Sequence, residues 1–331
     1  MTFFDAKQIE QLLPMNECIN VMRAVFSLNL EEETFNPLRN IIPLPNGAGL
    51  MGLMPAYIKP YKVMGVKVLS VFFDNYKKDL SSHQGIVNLF ETETGQLIAS
   101  FDADSITGIR TAAVSALMTD LLAIKEAETL CLIGSGVQAE KHLEAICLVR
   151  PIKHVNVWSQ NYDNALAFVE KMAQKHPLPI SSGSAINIKA FSTAKEAVKD
   201  ADIVCTVTSA SNPVIFNDWL TPHVHINAVG ACSADRRELD SDIVLQADVY
   251  VDSYTSAHHE AGDIILAATT ERTVSDIIKA DIHDILTHKI GVDVHKKTVF
   301  ESLGIAIEDV AAAWHCWNIH NLREIPNLPK I

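Results

Sequence analysis

Along the chain the spacing of apolar positions changes several times, and each change predicts a different kind of element. Residues 5–30 carry apolar side chains at helical spacing, interrupted near Pro14, so two helices are expected, the second opening at Met15-Asn16-Glu17 and running through Val25 and Leu28. Strand patterns follow. Residues 38–44 and 50–54 flank the turn residues Pro45-Asn46-Gly47-Ala48-Gly49, which predicts a hairpin. Residues 63–73 form a long apolar run interrupted by Lys67, and residues 86–91 and 96–101 make a second hairpin across Thr92-Glu93-Thr94-Gly95. From Gly108 the pattern becomes helical and rich in Ala and Leu, and a domain boundary is expected on this helix. Beyond it strands and helices alternate, as a parallel sheet requires: strands at 130–133, 155–159, 203–208, 225–229 and 249–252, helices at 164–174 and 194–198, and a polar stretch at 181–184. From Ala267 the pattern reads as helical, interrupted by Thr298-Val299-Phe300-Glu301-Ser302-Leu303-Gly304. The fold class expected is α/β, a doubly wound parallel sheet of Rossmann type with a second α+β domain.

The stretch that organises the second half is Thr129 onward, where the strand at 130–133 enters Gly134-Ser135-Gly136 and leaves as a helix with Val137, Leu143, Ile146 and Val149 at helical spacing. In a dinucleotide-binding turn the first glycine makes the bend, the second lets backbone approach a pyrophosphate, and a third small residue, here Ala139, packs helix against strand. The helix start supplies N–H groups and the positive end of its dipole. The ordinary alternative is a tight βα turn that binds nothing.

Composition narrows the partners. The chain has 331 residues, 48% of them hydrophobic and 20% charged, a globular balance with room for two domains. A net charge of −13 argues against nucleic acid or an anionic membrane, so an anionic substrate needs a local group of Arg or Lys. The six cysteines, Cys18, Cys131, Cys147, Cys205, Cys232 and Cys316, are scattered without metal-ligand spacing, which fits a reduced, cytoplasmic protein. The first residues lack a signal-peptide pattern, and no apolar run is long enough to span a membrane. At the cofactor's ribose, a Rossmann unit places an acid after the second strand; here Ser159-Gln160-Asn161 stand there. Without that acid a 2′-phosphate is not repelled, so NADPH is expected over NADH.

Several separated motifs then carry a resemblance. Asp104-Ser105-Ile106-Thr107-Gly108-Ile109-Arg110-Thr111-Ala112-Ala113, the Gly134-Ser135-Gly136-Val137-Gln138-Ala139 turn, His225-Ile226-Asn227-Ala228-Val229-Gly230-Ala231, Arg237-Glu238-Leu239-Asp240 and Thr298 through Gly304 resemble the ornithine cyclodeaminase/mu-crystallin family, over nearly the whole chain. The resemblance implies a homodimer without membrane or nucleic-acid partners, and a small cyclic imino acid as ligand. It implies a substrate and dimerisation domain at 1–115 completed by the tail 305–331, and an NAD(P)-binding domain at 116–304. It implies cofactor contacts at Thr111, Gly134, Gly136, Val137, Gln138, Ala139, Ser159, Gln160, Asn161, Thr208, Val229, Gly230, Ser302 and Gly304.

The same resemblance points to Arg39, Lys67 and Arg110 as cations around a substrate carboxylate, with His83, in Ser82-His83-Gln84, beside them. Residue chemistry agrees in part. An ammonium in the apolar run around Lys67 needs an anionic partner, unless it faces water. Arg110, placed near a helix start, is at the unfavourable end of the dipole, which a ligand carboxylate would relieve. Arg39 reads equally as a surface arginine. His258-His259-Glu260 lacks zinc-site spacing and reads as a solvated loop, and Asp102 with Asp104 reads as a polar connection.

One departure selects among the family's reactions. Cyclodeaminases and alanine dehydrogenases of this family carry an aspartate where this chain has Cys232, after Gly230-Ala231, and Asp235 falls outside that position. Ring closure by an amine needs a carboxylate there to receive protons. Reduction of a preformed cyclic imine needs mainly orientation of its carboxylate and of the carbon that accepts hydride. The expected activity is therefore reduction of Δ1-pyrroline-2-carboxylate to L-proline, or of Δ1-piperideine-2-carboxylate to L-pipecolate, with Lys67 and Arg110 catalytic and Lys67 or an ordered water as proton source. Two rival readings stand beside it: an amino-acid oxidoreductase or cyclodeaminase that uses Asp235, and an NADPH-dependent hormone-binding protein.

Overall fold

The computed structural model describes residues 2–45, 47–78, 80–174 and 186–324, apart from the side chains of residues 73, 76, 83, 323 and 324. Asn46 of the first expected turn and the polar stretch at 181–184 lie outside the described residues. The chain divides into two compact units, Met1–Arg110 with Ile305–Ile331, and Thr111–Gly304.

Among the described residues, the first unit is built on β1 (Thr2–Phe4), β2 (Thr34–Phe35), β3 (Asn40–Pro43), β4 (Leu50–Ile58), β5 (Val63–Val71), β6 (His83–Glu91) and β7 (Leu97–Asp102). They pair in the order β1-β7-β6-β5-β4-β2, with β3 also on β4; only β1 and β7 run parallel. The period of two decides which side chains go inward. On β5 the buried positions are Val63, Gly65, Lys67 and Val71, while Met64 and Val66 point the other way. The buried face carries the C-terminal helix Ala306–Glu324, which packs on β4, β5, β6 and the helix Met15–Phe26. A Cβ on Gly65 would stand 2.8 Å from Val310 Cγ2 and 2.9 Å from the Asn88 carbonyl oxygen, so a bare glycine is what lets the helix come this close to the strand. At the end of the unit Phe4 stacks on Phe101 at 4.7 Å and meets Trp317 edge-on.

The long helix Ala103–Leu122 starts five residues earlier than the Ala- and Leu-rich pattern suggested. Asp102 Oδ1 accepts from Ser105 N at 2.8 Å and Ser105 Oγ at 2.6 Å, which satisfies a first-turn donor and opens the helix before its apolar residues begin. Within the second unit, the far end of this helix is held by buried Arg150, whose guanidinium donates to the carbonyls of Thr119, Asp120, Ala123 and Ile124. Thr119 and Asp120 lie in the last turn of the helix and Ala123 and Ile124 just beyond it, where carbonyls run short of intrahelical donors.

The second unit is an α/β fold of Rossmann type. Its strands are β8 (Thr129–Ile133), β9 (His154–Trp158), β10 (Asn187–Phe191), β11 (Ile203–Thr206), β12 (His225–Ala228), β13 (Asp248–Val251), β14 (Ile278–Asp281) and β15 (Thr298–Glu301). Among the described residues all its pairings are parallel, in the order β10-β9-β8-β11-β12-β15-β13-β14. The order reverses between β8 and β11, and ligands of such sheets bind beyond the carboxyl ends of the strands at that switch. The stretch after Ala267 corrects the helical expectation. It contains β14, and Thr298–Glu301 is a fully buried strand inserted between β12 and β13. The run Thr298-Val299-Phe300-Glu301 is buried throughout although Thr and Glu stand at its ends, so four residues of this composition offer no period by which sequence could tell strand from helix. His258 and His259 sit on a helix, Tyr254–Glu260, rather than in the expected loop; the two rings take the carbonyls of Tyr254 and Thr255 one turn earlier.

The close approach at Gly65 sets a measurable cost. Gly65→Ala should lower unfolding stability by about 1–3 kcal/mol, read from urea titrations, because Val310 and the Asn88 carbonyl must both yield; an unchanged midpoint would show that the helix does not press on β5.

Candidate active site

In the first unit the structure brings Lys67 and Arg110 together on two carboxylates that the sequence reading did not single out. Lys67 Nζ lies 2.7 Å from Asp309 Oδ2. Arg110 Nε donates to Asp309 Oδ1 at 2.9 Å, and Arg110 Nη1 to Glu308 Oε2 at 2.6 Å. Lys67 is 2% exposed, Arg110 4%, and Glu308 and Asp309 are fully buried, so this is an ionic cluster inside the unit and not a surface feature. The side chains come from three elements: β5, the long helix, and the first turn of the C-terminal helix, which is where carboxylates are favoured by the helix dipole.

The charges hold one another. Burial drives the Lys67 ammonium down to about 8; Asp309 opposes that shift, while Arg110 and Arg39 reinforce it. Burial also disfavours the Arg110 charge, but Asp309 and Glu308 more than offset this and raise its pKa. Burial pushes the Asp309 carboxyl up, yet Arg110 and Lys67 together hold it below the ordinary aspartate value. Glu308 stays raised, because burial and Asp309 outweigh the attraction of Arg110.

The cations still have capacity. Lys67 uses one ammonium donor on Asp309 and one on Thr107 Oγ1 at 3.4 Å, leaving a third. Arg110 commits Nε and Nη1, and among the described residues no partner occupies Nη2.

Two expectations change here. Arg110 is the eighth residue of its helix and not near its start, so the dipole conflict argued from sequence does not arise; the carboxylates that neutralise it are the protein's own. Lys67 likewise has its anionic partner within the chain. Arg39, half-buried just before β3, acts on Lys67 through its charge. His83 opens β6, and its side chain lies outside the described residues. The signal for the missed pair was available: Glu308-Asp309 are two adjacent acids set among Ile305, Ala306, Ile307, Val310 and Ala311, an unfavourable setting unless cations meet them.

In the second unit most of the expected cofactor residues follow the carboxyl ends of parallel strands, Val137, Gln138 and Ala139 being in the first turn of the helix after β8 and Thr111 on the long helix. Gly134 follows β8 with φ +122°, a conformation that favours glycine, and a Cβ there would stand 2.8 Å from the Val207 carbonyl oxygen. Gly136 caps the helix Val137–Val149 without a side-chain acceptor for its first-turn donors. Around Gly136 a Cβ would meet nothing within 4 Å, and Val137 is 68% exposed. An open approach, first-turn donors left by the cap and an uncovered apolar side chain fit a dinucleotide at this turn. The helix is anchored behind by buried His142, which takes the Gln138 carbonyl at 2.8 Å and Ser115 Oγ at 2.9 Å. Burial holds the His142 pKa down to about 4.

Ser159, half-buried, and Gln160, exposed, follow β9, and Asn161 Oδ1 accepts from Asp163 N at 3.0 Å at the start of the next helix. Thr208 follows β11, Val229 and Gly230 follow β12, and Ser302 and Gly304 follow β15. Thr111 is buried on the long helix directly after Arg110. Buried carboxylates to which the sequence reading assigned no individual role hold these loops. Asp252 Oδ2 accepts from Leu303 N at 2.7 Å and Gly304 N at 2.6 Å, and Glu238 receives donors from Thr208 and Gly230. Cys232 is exposed on the loop after β12, and Asp235, also exposed, accepts from Ser233 Oγ at 2.9 Å. Asp104, far along the chain from these, accepts from Ser81 Oγ.

Comparison with known proteins adds the family. The family model for the ornithine cyclodeaminase/mu-crystallin family matches residues 2–321. The ketimine reductase mu-crystallin of Mus musculus is 35% identical over 290 residues, covering 88% of this chain and 87% of the relative. The solved structure of Thermococcus litoralis Δ1-pyrroline-2-carboxylate reductase in complex with NADH and L-proline superposes with a TM-score of 0.91 at 32% identity, covering 99% of this chain and 100% of that one. An archaeal alanine dehydrogenase dimer with bound NAD gives 0.88 at 26% identity, with 100% and 99% covered.

The ionic cluster can be checked by stability alone. Asp309→Asn removes the anion that Lys67 and Arg110 share and should cost about 3 kcal/mol or more in urea unfolding, while Lys67→Met with Asp309→Asn should recover part of that loss, the Arg110 share remaining. Equal losses in the single and double variants would contradict the pairing.

Proposed function

Because the chain belongs to the ornithine cyclodeaminase/mu-crystallin family, we propose that it is a nicotinamide-dependent imine oxidoreductase that reduces a cyclic ketimine carboxylate. The substrate is Δ1-pyrroline-2-carboxylate, giving L-proline, with Δ1-piperideine-2-carboxylate as the six-membered counterpart giving L-pipecolate. The observation that carries this reading is the cluster in which Lys67 and Arg110 are both buried, both fixed by Asp309, and both left with a donor to spare. A small carboxylate is a ligand that such an arrangement accepts, since its two oxygens need charge-assisted donors and the uncommitted N–H groups of Lys67 and Arg110 can supply them.

The nicotinamide supplies the hydride. The protein's work is orientation and proton supply. Arg110, held through Nε and Nη1, offers Nη2 to the substrate carboxylate, and Arg39 adds charge from the loop before β3. Lys67, brought to about 8, releases a proton to the ring nitrogen far more readily than an ordinary lysine; the C=N bond then gains hydride at carbon and the proton at nitrogen. Absence of an acid after β9 supports NADPH as the preferred cofactor, with NADH as the alternative. Cys232 in place of an acid supports reduction over cyclodeamination.

A homodimer is part of this reading. In the first unit, the sheet face away from the C-terminal helix has a hollow lined by Phe35, Pro55, Tyr57, Met64 and Phe90, and Phe35 is 65% exposed. An apolar face of this kind fits a second copy.

Purified protein should oxidise NADPH, and more slowly NADH, in the presence of Δ1-pyrroline-2-carboxylate, with one L-proline formed per cofactor consumed. Ammonia release from ornithine or alanine without imine reduction would contradict the reading. As proton donor Lys67 must be charged, so kcat should fall as pH rises through about 8. Lys67→Met should lose that limb along with at least ~100-fold in kcat; a retained limb would assign the proton to another group.

A further inference from the structure

We propose that Glu238 is a positioning residue for the cofactor: its carboxylate clamps the loop after β11 to the loop after β12 and fixes the backbone wall against which the nicotinamide nucleotide is held. This rests on the reading of the chain as a nicotinamide-dependent enzyme. Glu238 Oε1 accepts from Thr208 N at 2.7 Å and from Thr208 Oγ1 at 2.6 Å, and Oε2 accepts from Gly230 N at 2.7 Å. One side chain therefore takes three donors from the two loops that follow neighbouring strands.

The clamp continues to the glycine turn. Val207, which precedes Thr208, has its carbonyl oxygen where a Cβ on Gly134 would stand, at 2.8 Å, so the loop after β11 lies directly on the turn. On the other side a Cβ on Gly230 would run into the Thr208 carbonyl oxygen and stand 2.6 Å from Glu238 Oε2. The spacing of the turn, the Thr208 loop and the Gly230 loop is thus set through consecutive contacts with no slack between them.

Glu238 is itself rigid. Asp263 Oδ1 accepts from Glu238 N at 2.9 Å and Leu239 N at 2.7 Å, and the Glu238 carbonyl accepts from Val214 N at 2.7 Å. The Thr208 hydroxyl accepts from Ala210 N at 3.0 Å, which turns its proton toward Glu238.

The chemistry of the clamp requires a carboxylate. All three partners are donors, so both oxygens must accept. Glutamine has the same shape but only one acceptor; with that oxygen on Thr208, its NH2 faces the Gly230 N–H. Glu238 is fully buried, and burial raises its pKa while its donors from Thr208 and Gly230 pull it back. A charged group kept in such a place, with no Lys or Arg hydrogen-bonded to it among the described residues, is costly to keep. The loops it joins hold Thr208 and Gly230, both expected on the cofactor.

The test is direct cofactor binding by Glu238→Gln in the full-length protein, read as the dissociation constants of NADPH and NADH from nucleotide fluorescence, with circular dichroism to verify folding. On the order of a tenfold or larger rise in both constants is expected, with the KM for the imine changed far less than the KM for the cofactor. A folded Glu238→Gln protein that binds both cofactors like wild type, showing only a lower melting temperature, overturns the clamp and leaves Glu238 a structural residue. If Glu238→Gln fails to fold, Glu238→Asp decides: it keeps a carboxylate, but its shorter side chain cannot hold both Thr208 and Gly230, and it should raise the constants roughly threefold or more, while unchanged constants overturn the proposal. Wild-type protein is measured first. If it binds neither nucleotide, the oxidoreductase reading itself fails, and the clamp with it, before any variant is compared.

Discussion

The first unit depends on a buried charge balance. Lys67 and Arg110 can be inside it only because Asp309 and Glu308 are there to meet them, and these acids arrive on the C-terminal helix after the whole second unit has been made. The chain therefore completes its first unit last. Gly65 lets that helix lie close against β5, and Val63 and Lys67 flank it on the same face, so backbone clearance and charge pairing act at one place on the sheet. Buried pairs of this kind add little net stability compared with apolar packing, but breaking one is expensive. A cluster retained on those terms is better explained by what it does. With one shared carboxylate between two cations, the group holds its geometry before any ligand arrives and still has donors for another anion.

The second unit uses acids in a related way. Glu238 and Asp252 are buried, and each accepts backbone N–H groups from loops at the carboxyl ends of strands. A sheet of short parallel strands fixes where its loops begin but not how they are spaced. Backbone donors gathered on a common carboxylate supply that spacing. Burial raises the pKa of Asp263 to about 7 and that of Glu301 well above the usual carboxylate range, with neighbouring acids adding to the effect, so these acids are crowded together at the loop ends. Crowding of this kind is tolerated where the loops must be held still.

Much of the fold was legible in the sequence, for identifiable reasons. The glycine turn was readable because Gly134 needs a left-handed conformation and the strand and helix around it have distinct periods. Lys67 could be singled out because it interrupts an apolar strand. Its partner could not, because Asp309 is separated from it by most of the chain and only the packing of the last helix on β5 joins them. The same holds for Arg110, whose apparent position at a helix start came from mistaking where an Ala-rich helix begins; Asp102 and Ser105 open it earlier than its apolar pattern. β15 was not readable as a strand because its polar residues Thr298 and Glu301 are buried along with Val299 and Phe300, and four residues are too few to set a period, although the motif that contains it was recognisable as a break in the helical pattern. Glu238 was visible as part of a motif, but its use is a matter of three donors meeting in space.

In the proposed function the Lys67, Arg110 and Asp309 cluster recognises the carboxylate of a cyclic imine. The most direct measurement compares kcat/KM for Δ1-pyrroline-2-carboxylate with that for Δ1-pyrroline, the same ring without the carboxylate, under saturating NADPH. A preference on the order of a thousandfold or more for the acid is expected, because without it buried charged donors are left without their partner. Comparable values for the two imines would contradict it, because the cluster would then play no part in choosing the substrate.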